Sequence, residues 1–460
     1  MDIIQQIVGK ISETMMKNLD LTQRKQLTFH DLVSNVQESM NQIGVALVED
    51  FVENLDNSLK QHPARKEDWY IQRNKDEKIL ATTMGDVVLK RTYYKNKQSG
   101  QFTYLADDHL ELAPHSRMDL GLEAEILGKA KDQSYQKTID SFKNISIHSR
   151  TTVMNVVHKH LLEPTNVASP SQKKEVDVLY IEADEDHVAY QDSKNRFMKL
   201  VYVYEGRKKS GSAKRIELTE KRYFTGLYPD NEVLWFSVLD YLDEAYDLEK
   251  VKRIYLSGDG ASWIKSGAKI IPNCTFVLDG FHLMKYIKKA CTGHQEWFPI
   301  LYGWIQNGQK DLLQLFYQTR LDDELKDSER VSLLESKRYI LRHWDAIQNQ
   351  KNPDFNGCSA EGHVSHVLSA RLSSRPLGWS LIGAEHIAKL RAYTLNGGSI
   401  KEGLEKKRKD HTHRTTIEKL DRQVNRKYGQ QFQTVSGNLP ALTQNKKTQL
   451  SVVLKGLRGK

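Results

Sequence analysis

The chain has 460 residues, 39% hydrophobic and 28% charged, with a formal net charge of +9 and a pI near 9.0. That length calls for about two to four units, and the basic surplus points to a polyanionic partner, nucleic acid first. Cys274, Cys291 and Cys358 form no C-x-x-C pair, no apolar run is long enough to span a bilayer, and the N-terminus lacks the basic and apolar regions of a signal peptide; this argues against a disulfide framework, a cysteine zinc site and a membrane protein, and fits a reducing cytoplasm.

Residues 1–62 read as helix. Ile4, Ile7, Val8, Ile11 and Met15, then Val45, Leu47, Val48, Phe51, Val52 and Leu55, recur at helical spacing, and Pro63 closes the run. A packed or oligomerising helical pair is expected there. Residues 63–118 turn β-rich and basic. Met84-Gly85-Asp86 predicts a hairpin, and residues 95–100 a second turn before Phe102, Tyr104 and Leu105. Lys90, Arg91, Tyr93, Tyr94, Lys95 and Lys97 mix cations with aromatic rings, which suits phosphate contact and base stacking. A solvated strand face accounts for them equally well.

Residues 119–164 have the pattern of a helix-turn-helix region. A helix over 120–131 is followed by a short one over 135–142, capped by Ser134, and a turn over 144–147. Ser149 caps a third helix that carries Val153, Val156, Val157 and Leu161 inward. Arg150, Thr151, Thr152, Asn155, His158 and Lys159 take its other faces, as a recognition helix presents polar residues to base edges. Helical triplets of this spacing also occur in proteins that never touch DNA. Residues 164–174 read as a linker.

A strand from Val176 to Asp184 opens the next unit and runs into Glu182, Asp184, Glu185 and Asp186. Carboxylates that close repel one another, so they are best tolerated beside a cation or in free water. Strands follow at 197–206 and 222–227, then an amphipathic helix at 231–248. A fourth strand at 251–256 ends in Ser257-Gly258-Asp259-Gly260, and a fifth at 274–278 ends in Asp279-Gly280-Phe281-His282 and enters a helix at 283–290. Three strands, helix, strand, helix, strand, helix is the order of the ribonuclease H-like fold. Any one acid is explained by a solvated strand end; three in that position predict one polar edge where they meet.

Residues 291–357 predict an all-α insertion, and the α/β unit then resumes over 358–400. In Cys358-Ser-Ala-Glu-Gly-His-Val-Ser-His, Glu361 sits at a helix start, where a glutamate is usually a cap or dipole partner. His363 and His366 lack the H-E-x-x-H or cysteine context of a zinc site. Residues 401–460 are a basic tail, suited to a phosphate backbone or simply to solubility.

Phosphodiester transfer needs an activated oxygen nucleophile and neutralised phosphate charge, and two Mg²⁺ ions about 3.5 to 4 Å apart supply both. Asp184, Asp259 and Glu361 are the hard oxygen ligands such ions take. The segments Y-I-E-A-D-E-D-H-V at 180–188, L-S-G-D-G-A-S-W-I-K at 256–265, V-L-D-G-F-H-L-M-K-Y at 277–286 and S-A-E-G-H-V-S-H at 359–366 together resemble a bacterial insertion-sequence transposase of the ISLre type, in the Mutator-like branch of the DDE group. The resemblance covers nearly the whole chain. It implies an α/β ribonuclease H-like catalytic domain with an all-α insertion, preceded by helical, β-hairpin and helix-turn-helix regions.

By that resemblance Asp184, Asp259 and Glu361 are the catalytic metal ligands for two Mg²⁺ or Mn²⁺ ions, with Asp186 the alternative first acid and Asp279 and His282 near-site residues. The expected partner is double-stranded DNA, as element terminal repeats and target, bound through Lys90, Arg91, Arg150, Thr151 and Lys159 by a dimer or higher homo-oligomer at the nucleoid. The rival expectations are a DNA-binding protein without catalysis and a ribonuclease H-like nuclease.

Overall fold

The structure, a computed structural model, describes residues 3–142, 145–147, 149–192, 194–210, 215–375 and 378–410. Most of the predicted basic tail, and Asn144 of the predicted turn, lie outside the described residues.

Helices α1 (Ile3–Gln23) and α2 (Phe29–Gln61) form a hairpin, and Thr28 starts α2 in a capping box with Asp31. α2 ends at Gln61, just before Pro63, as expected. Pro63 opens a short helix, α3 (Pro63–Asp68), because its missing N–H costs nothing in a first turn. Strands β1 (Trp69–Thr82), β2 (Gly85–Asn96) and β3 (Phe102–Tyr104) form an antiparallel sheet whose first turn lies between Thr82 and Gly85, as predicted. Val52 of α2 packs on Leu80, Val87 and Leu89 of this sheet. Leu105 starts a helix, α4 (Leu105–His109).

The helical triplet forms α5 (Leu120–Ala130), α6 (Tyr135–Asp140) and α7 (Arg150–Lys159), capped by Asp119, Ser134 and Ser149. Leu161 lies beyond the end of α7.

The next unit is a mixed five-stranded sheet. Its chain order is β4 (Val178–Ala189), β5 (Asn195–Tyr204), a separate ribbon of β6 (Gly206–Ser210) and β7 (Arg215–Thr219), β8 (Arg222–Gly226), α8 (Asn231–Ala245), β9 (Arg253–Gly258), α9 (Ser262–Ile270), β10 (Cys274–Leu278) and α10 (Gly280–Ala290). The sheet order is β10-β9-β4-β5-β8, with β10, β9 and β4 parallel and β4, β5 and β8 antiparallel. The ribbon was not predicted; its Arg207, Lys208 and Lys209 hide any apolar alternation.

Alternation divides the two faces of this sheet. Leu179, Ile181 and Ala183 of β4 join Val201 and Val203 of β5 under α8 and α9, around Leu234, Trp235 and Val238. Trp235 donates its indole N–H to Trp263 O at 2.7 Å, and Gly267 leaves room for that ring: a Cβ there would lie 2.5 Å from it. The opposite face carries Tyr180, Glu182, Asp184 and Asp186. Tyr180 stacks between Tyr204 and Tyr255, with ring centres 5.1 and 5.9 Å away.

The insertion is all helical, with α11 (Phe298–Gln306), α12 (Lys310–Asp322), α13 (Asp327–Arg342) and α14 (Trp344–Gln348). Leu301, Ile305, Leu313, Tyr317, Leu333 and Ile340 build its own core against Leu283 and Ile287 of α10. The chain then returns to the sheet through α15 (Ala360–Val364), a π-helical turn at Ser365–Ser369, α16 (Ala370–Leu372) and α17 (Leu381–Leu395).

Candidate functional site

The acid-rich strand is longer than the sequence suggests. β4 continues through Asp184 to Ala189 because β5 pairs with it along its whole length. Its other neighbour, β9, stops sooner: the parallel register ends at Glu182 opposite Ser257. Two residues further along each segment stand Asp184 and Asp259, the second just past the end of β9. A Cβ on Gly258 would lie 2.8 Å from Ala183 O, so the two strands touch where the acids leave the sheet.

Each acid is held by its own local turn. Asp259 accepts the Ala261 N–H at 2.8 Å, and its backbone carbonyl accepts the Tyr339 hydroxyl of α13 at 2.5 Å. The next residue, Gly260, has φ +88°, and a Cβ there would strike the His343 ring at 2.6 Å. Asp279 caps α10 by accepting the Phe281 N–H at 3.2 Å, and its other oxygen meets His282 Nδ1 at 3.0 Å. Glu361 occupies the first turn of α15 and is exposed.

Electrostatics tie these groups together. Burial pushes the Asp184 carboxyl up to about 7, against the Glu185 N–H it accepts and the His282 charge; Asp259 and Glu361 push it further up. The Asp279 hydrogen bond raises His282 against its own burial, and the Asp279, Asp259 and Asp184 charges add to the rise. Asp279 would be raised by burial, but the His282 and Phe281 hydrogen bonds bring it below its ordinary value. The result is a partly buried carboxyl, with Asp259, Glu361 and a cation-prone histidine acting on it.

Asp186 is used differently. It is buried, and one oxygen accepts the hydroxyls of Ser369 at 3.0 Å and Ser373 at 2.8 Å. That anchors β4 to the segment after Glu361. Glu185 projects from the other face, where burial and the Asp259 charge raise it.

Glu182 was not singled out, yet it organises the site. Its buried carboxylate accepts the hydroxyls of Tyr202 and, at 2.7 Å, Tyr204, the Ser359 N–H at 2.6 Å and the Ser359 hydroxyl at 3.2 Å. The Cys358 thiol lies 3.4 Å away and Arg207 3.5 Å away. The clasp joins β4 to the segment that leads into α15, two residues before Glu361. The available signal was its even spacing with Asp184 and Asp186, which puts all three on one face. His363 is a packing residue: its ring lies 4.3 Å from that of Tyr202, and Nδ1 meets Ser359 O at 3.1 Å.

The residues expected to contact DNA divide. Arg150 and Thr151 stand exposed at the start of α7, and Lys90 is exposed on β2. Arg91 is corrected: it is buried in an ion pair with Asp107, its guanidinium 4.0 Å from the Tyr104 ring centre. It follows Val87 and Leu89 on the inward face of β2. Lys159 bonds the Glu123 carboxylate at 2.6 Å while its side chain stays largely in solvent.

The donor chemistry suits a hard divalent cation: the groups are carboxylates, and the buried one gains most from positive charge nearby. Among the described residues, no group of three or more His, Cys, Asp or Glu is gathered tightly enough to hold a metal ion. Asp259 and Glu361 therefore act on Asp184 through their charge without the three closing on one point.

Among curated proteins, one from Caldanaerobacter subterraneus subsp. tengcongensis is 37% identical over 87% of this chain and 85% of its own length; its name strings together numerous loci of that bacterium. Another from the same organism is 36% identical over 87% of this chain and 85% of its own. A protein of Streptococcus gallolyticus is 25% identical over 72% of this chain and 75% of its own. One solved structure, the Drosophila P element transposase strand transfer complex, matches with a TM-score of 0.24 and 13% identity, over 67% of this chain and 83% of that one. Residues 22–409 match the uncharacterised protein family UPF0236, and the chain belongs to that family.

Proposed function

We propose that this chain is the transposase of an insertion sequence, of the ISLre type and the Mutator-like branch of the DDE group, with a ribonuclease H-like catalytic domain. The observation that carries the proposal is how distant segments are tied to β4: β9, which leads into Asp259, pairs with it up to Glu182, and Glu182 accepts the Ser359 N–H two residues before Glu361. The strand order β10-β9-β4-β5-β8 and the helical insertion before the third acid support the same reading. So do relatives encoded at numerous loci of one bacterium, the trace left by a sequence that copies itself.

In this reading Asp184, Asp259 and Glu361 would hold two Mg²⁺ or Mn²⁺ ions, whose chemistry would be to neutralise phosphate charge and lower the pKa of an oxygen nucleophile. Glu182 and Asp186 hold the strand and the Glu361 turn together, so the third acid is brought to the first two with little freedom. His282, oriented by Asp279, supplies positive charge beside them. Arg150 and Thr151 face base edges from α7, and Lys90 faces phosphate. Water attacks the phosphorus at the element end and the 3′ oxygen departs as a hydroxyl. That hydroxyl then attacks a target phosphorus in line, displacing the target's own 3′ oxygen.

The test is incubation with linear DNA carrying candidate element ends, with and without Mg²⁺, and mapping of the cuts. Asp259→Asn abolishes cleavage and leaves binding of the ends intact. Cleavage retained by that variant refutes the catalytic assignment. Binding without cleavage by the wild-type chain favours a non-catalytic DNA-binding protein instead.

A further inference from the structure

The N-terminal hairpin inverts the usual order of polarity. Where α1 and α2 meet, the contacts are polar: Thr14 Oγ1 lies 2.7 Å from Ser39 Oγ, Asn35 Nδ2 donates to Asn18 Oδ1 at 2.8 Å, and Asn18 is buried. The next residue along is in each case apolar and exposed: Met15 and Leu19 on α1, Val36 and Met40 on α2. One residue is a rotation of about 100°. The pairing of residue 14 with 39 and 18 with 35 makes the helices antiparallel, and in such a pair the same rotation carries both stripes to one side of the hairpin.

The stripes are long. Val8 and Ile11 extend the first, and Phe29 (81% exposed), Val33, Leu47 and Phe51 the second, all exposed. From Phe29 to Met40 the spacing alternates four and three, and the alternation continues through Ile43, which is buried, to exposed Leu47. That is the heptad pattern helices use to pack on other helices. Neither stripe contains Lys, Arg, Asp or Glu, so the face offers nothing to a phosphate backbone. It runs about 33 Å from Phe29 to Phe51 and is about 20 Å across two helices, on the order of 700 Å². Monomers rarely leave more than roughly 300–600 Å² of contiguous apolar surface in water, and a stable interface covers about 800 Å² per partner.

We propose that this face docks on the same face of a second copy of the chain, closing four helices about a two-fold axis. A hairpin with two matched, charge-free stripes is self-complementary, as an isologous interface requires. The inference does not rest on the catalytic reading, since it uses no residue of the acid site.

Sedimentation velocity of the full chain tests it. The wild type sediments at low micromolar concentration with twice the 53.1 kDa mass of one chain. Val33→Glu combined with Met40→Glu weakens association at least a hundredfold and yields single chains, with circular dichroism and melting temperature kept, because both side chains face solvent in the isolated chain. Leu19→Glu on the other helix acts in the same direction, while Lys17→Glu, off the stripe, has no effect. A wild-type chain that sediments singly overturns the proposal. So does a folded variant, from either helix, that keeps the doubled mass.

Discussion

Burial pushes the Asp184 carboxyl up to about 7, whereas in the unfolded chain it titrates near its ordinary value of 3.8. The folded protein therefore holds this proton more tightly than the unfolded one. The stability linked to it is present below about pH 4 and is lost as pH rises through 7. Asp184→Asn should raise the melting temperature at pH 8 by a few degrees and change it little at pH 4, as a thermal melt at the two pH values shows. The gain is bounded by about 4 kcal/mol, the equivalent of roughly three pKa units. Mg²⁺ should raise the wild-type melting temperature at pH 8 and lose that effect in the variant, which separates metal binding from charge relief.

Glu182 is a structural clasp, every one of whose hydrogen-bond partners is a donor. Glu182→Ala strands buried hydroxyls and the Ser359 N–H, and should cost about 3 kcal/mol or more, read as a lower denaturation midpoint. The candidate acids Asp184, Asp259 and Glu361 are named by their sequence segments alone, whereas the clasp at Glu182 needs partners from far along the chain. Arg91 was misjudged because residue type outweighed alternation: Val87 and Leu89 already mark its face as inward.

At the scale of elements, the helical insertion does more than interrupt the sheet. Tyr339 and His343 of the α13 region press on the Asp259–Gly260 turn, and Lys265 Nζ lies 2.7 Å from His343 Nε2. Burial, with Lys265 and Arg342 nearby, lowers His343 to about 4, so the ring is neutral and accepts from the lysine. Tyr339→Phe removes one hydrogen bond to the turn. It should cost only about 1 kcal/mol of stability but loosen Asp259, and under the proposed function it should lower kcat for DNA cleavage by about tenfold with binding of the ends unchanged. Gly260→Ala should be worse on both counts, since it adds a clash with His343 to a backbone conformation that disfavours a side chain. The helix starts at Ser134 and Ser149 were well read because such caps act locally, whereas the cap at Asp279, which starts α10 at Gly280 rather than at 283, was not. Nor was the extent of β4, because β5 determines it.

At the scale of the molecule, the helical triplet is not a free module on a linker. Arg391 donates to Lys131 O at 2.7 Å, pairs with Asp132, and also donates to His366 O at 2.8 Å and Val367 O at 2.6 Å. Arg371 donates to Ala130 O at 3.0 Å, and His386 Nδ1 meets Val157 O at 2.8 Å. One arginine thus ties the α5–α6 turn to the π-helical turn that follows Glu361. The triplet and the central sheet should unfold in one calorimetric transition, and Arg391→Ala should split it or lower it by about 2–3 kcal/mol. A triplet melting separately in the wild type would show that these contacts do not couple the two.

The sequence by itself determined the helices and hairpin, the order of strands in the central unit, the helical insertion and the short list of acids, because caps, turns and periodicity act within a few residues. Tertiary structure decided how those acids are used. β9 stops short on β4, which leaves Asp259 just past its end while Asp184 stays in the sheet; Asp186 is drawn into the serines of a distant turn; Glu182 becomes a clasp because Tyr202, Tyr204 and Ser359 surround it. Carboxylates crowded along one strand look alike to any local rule. Only partners brought in from far along the chain, through burial and hydrogen bonding, make one a strut, another an anchor and a third the centre of the candidate site.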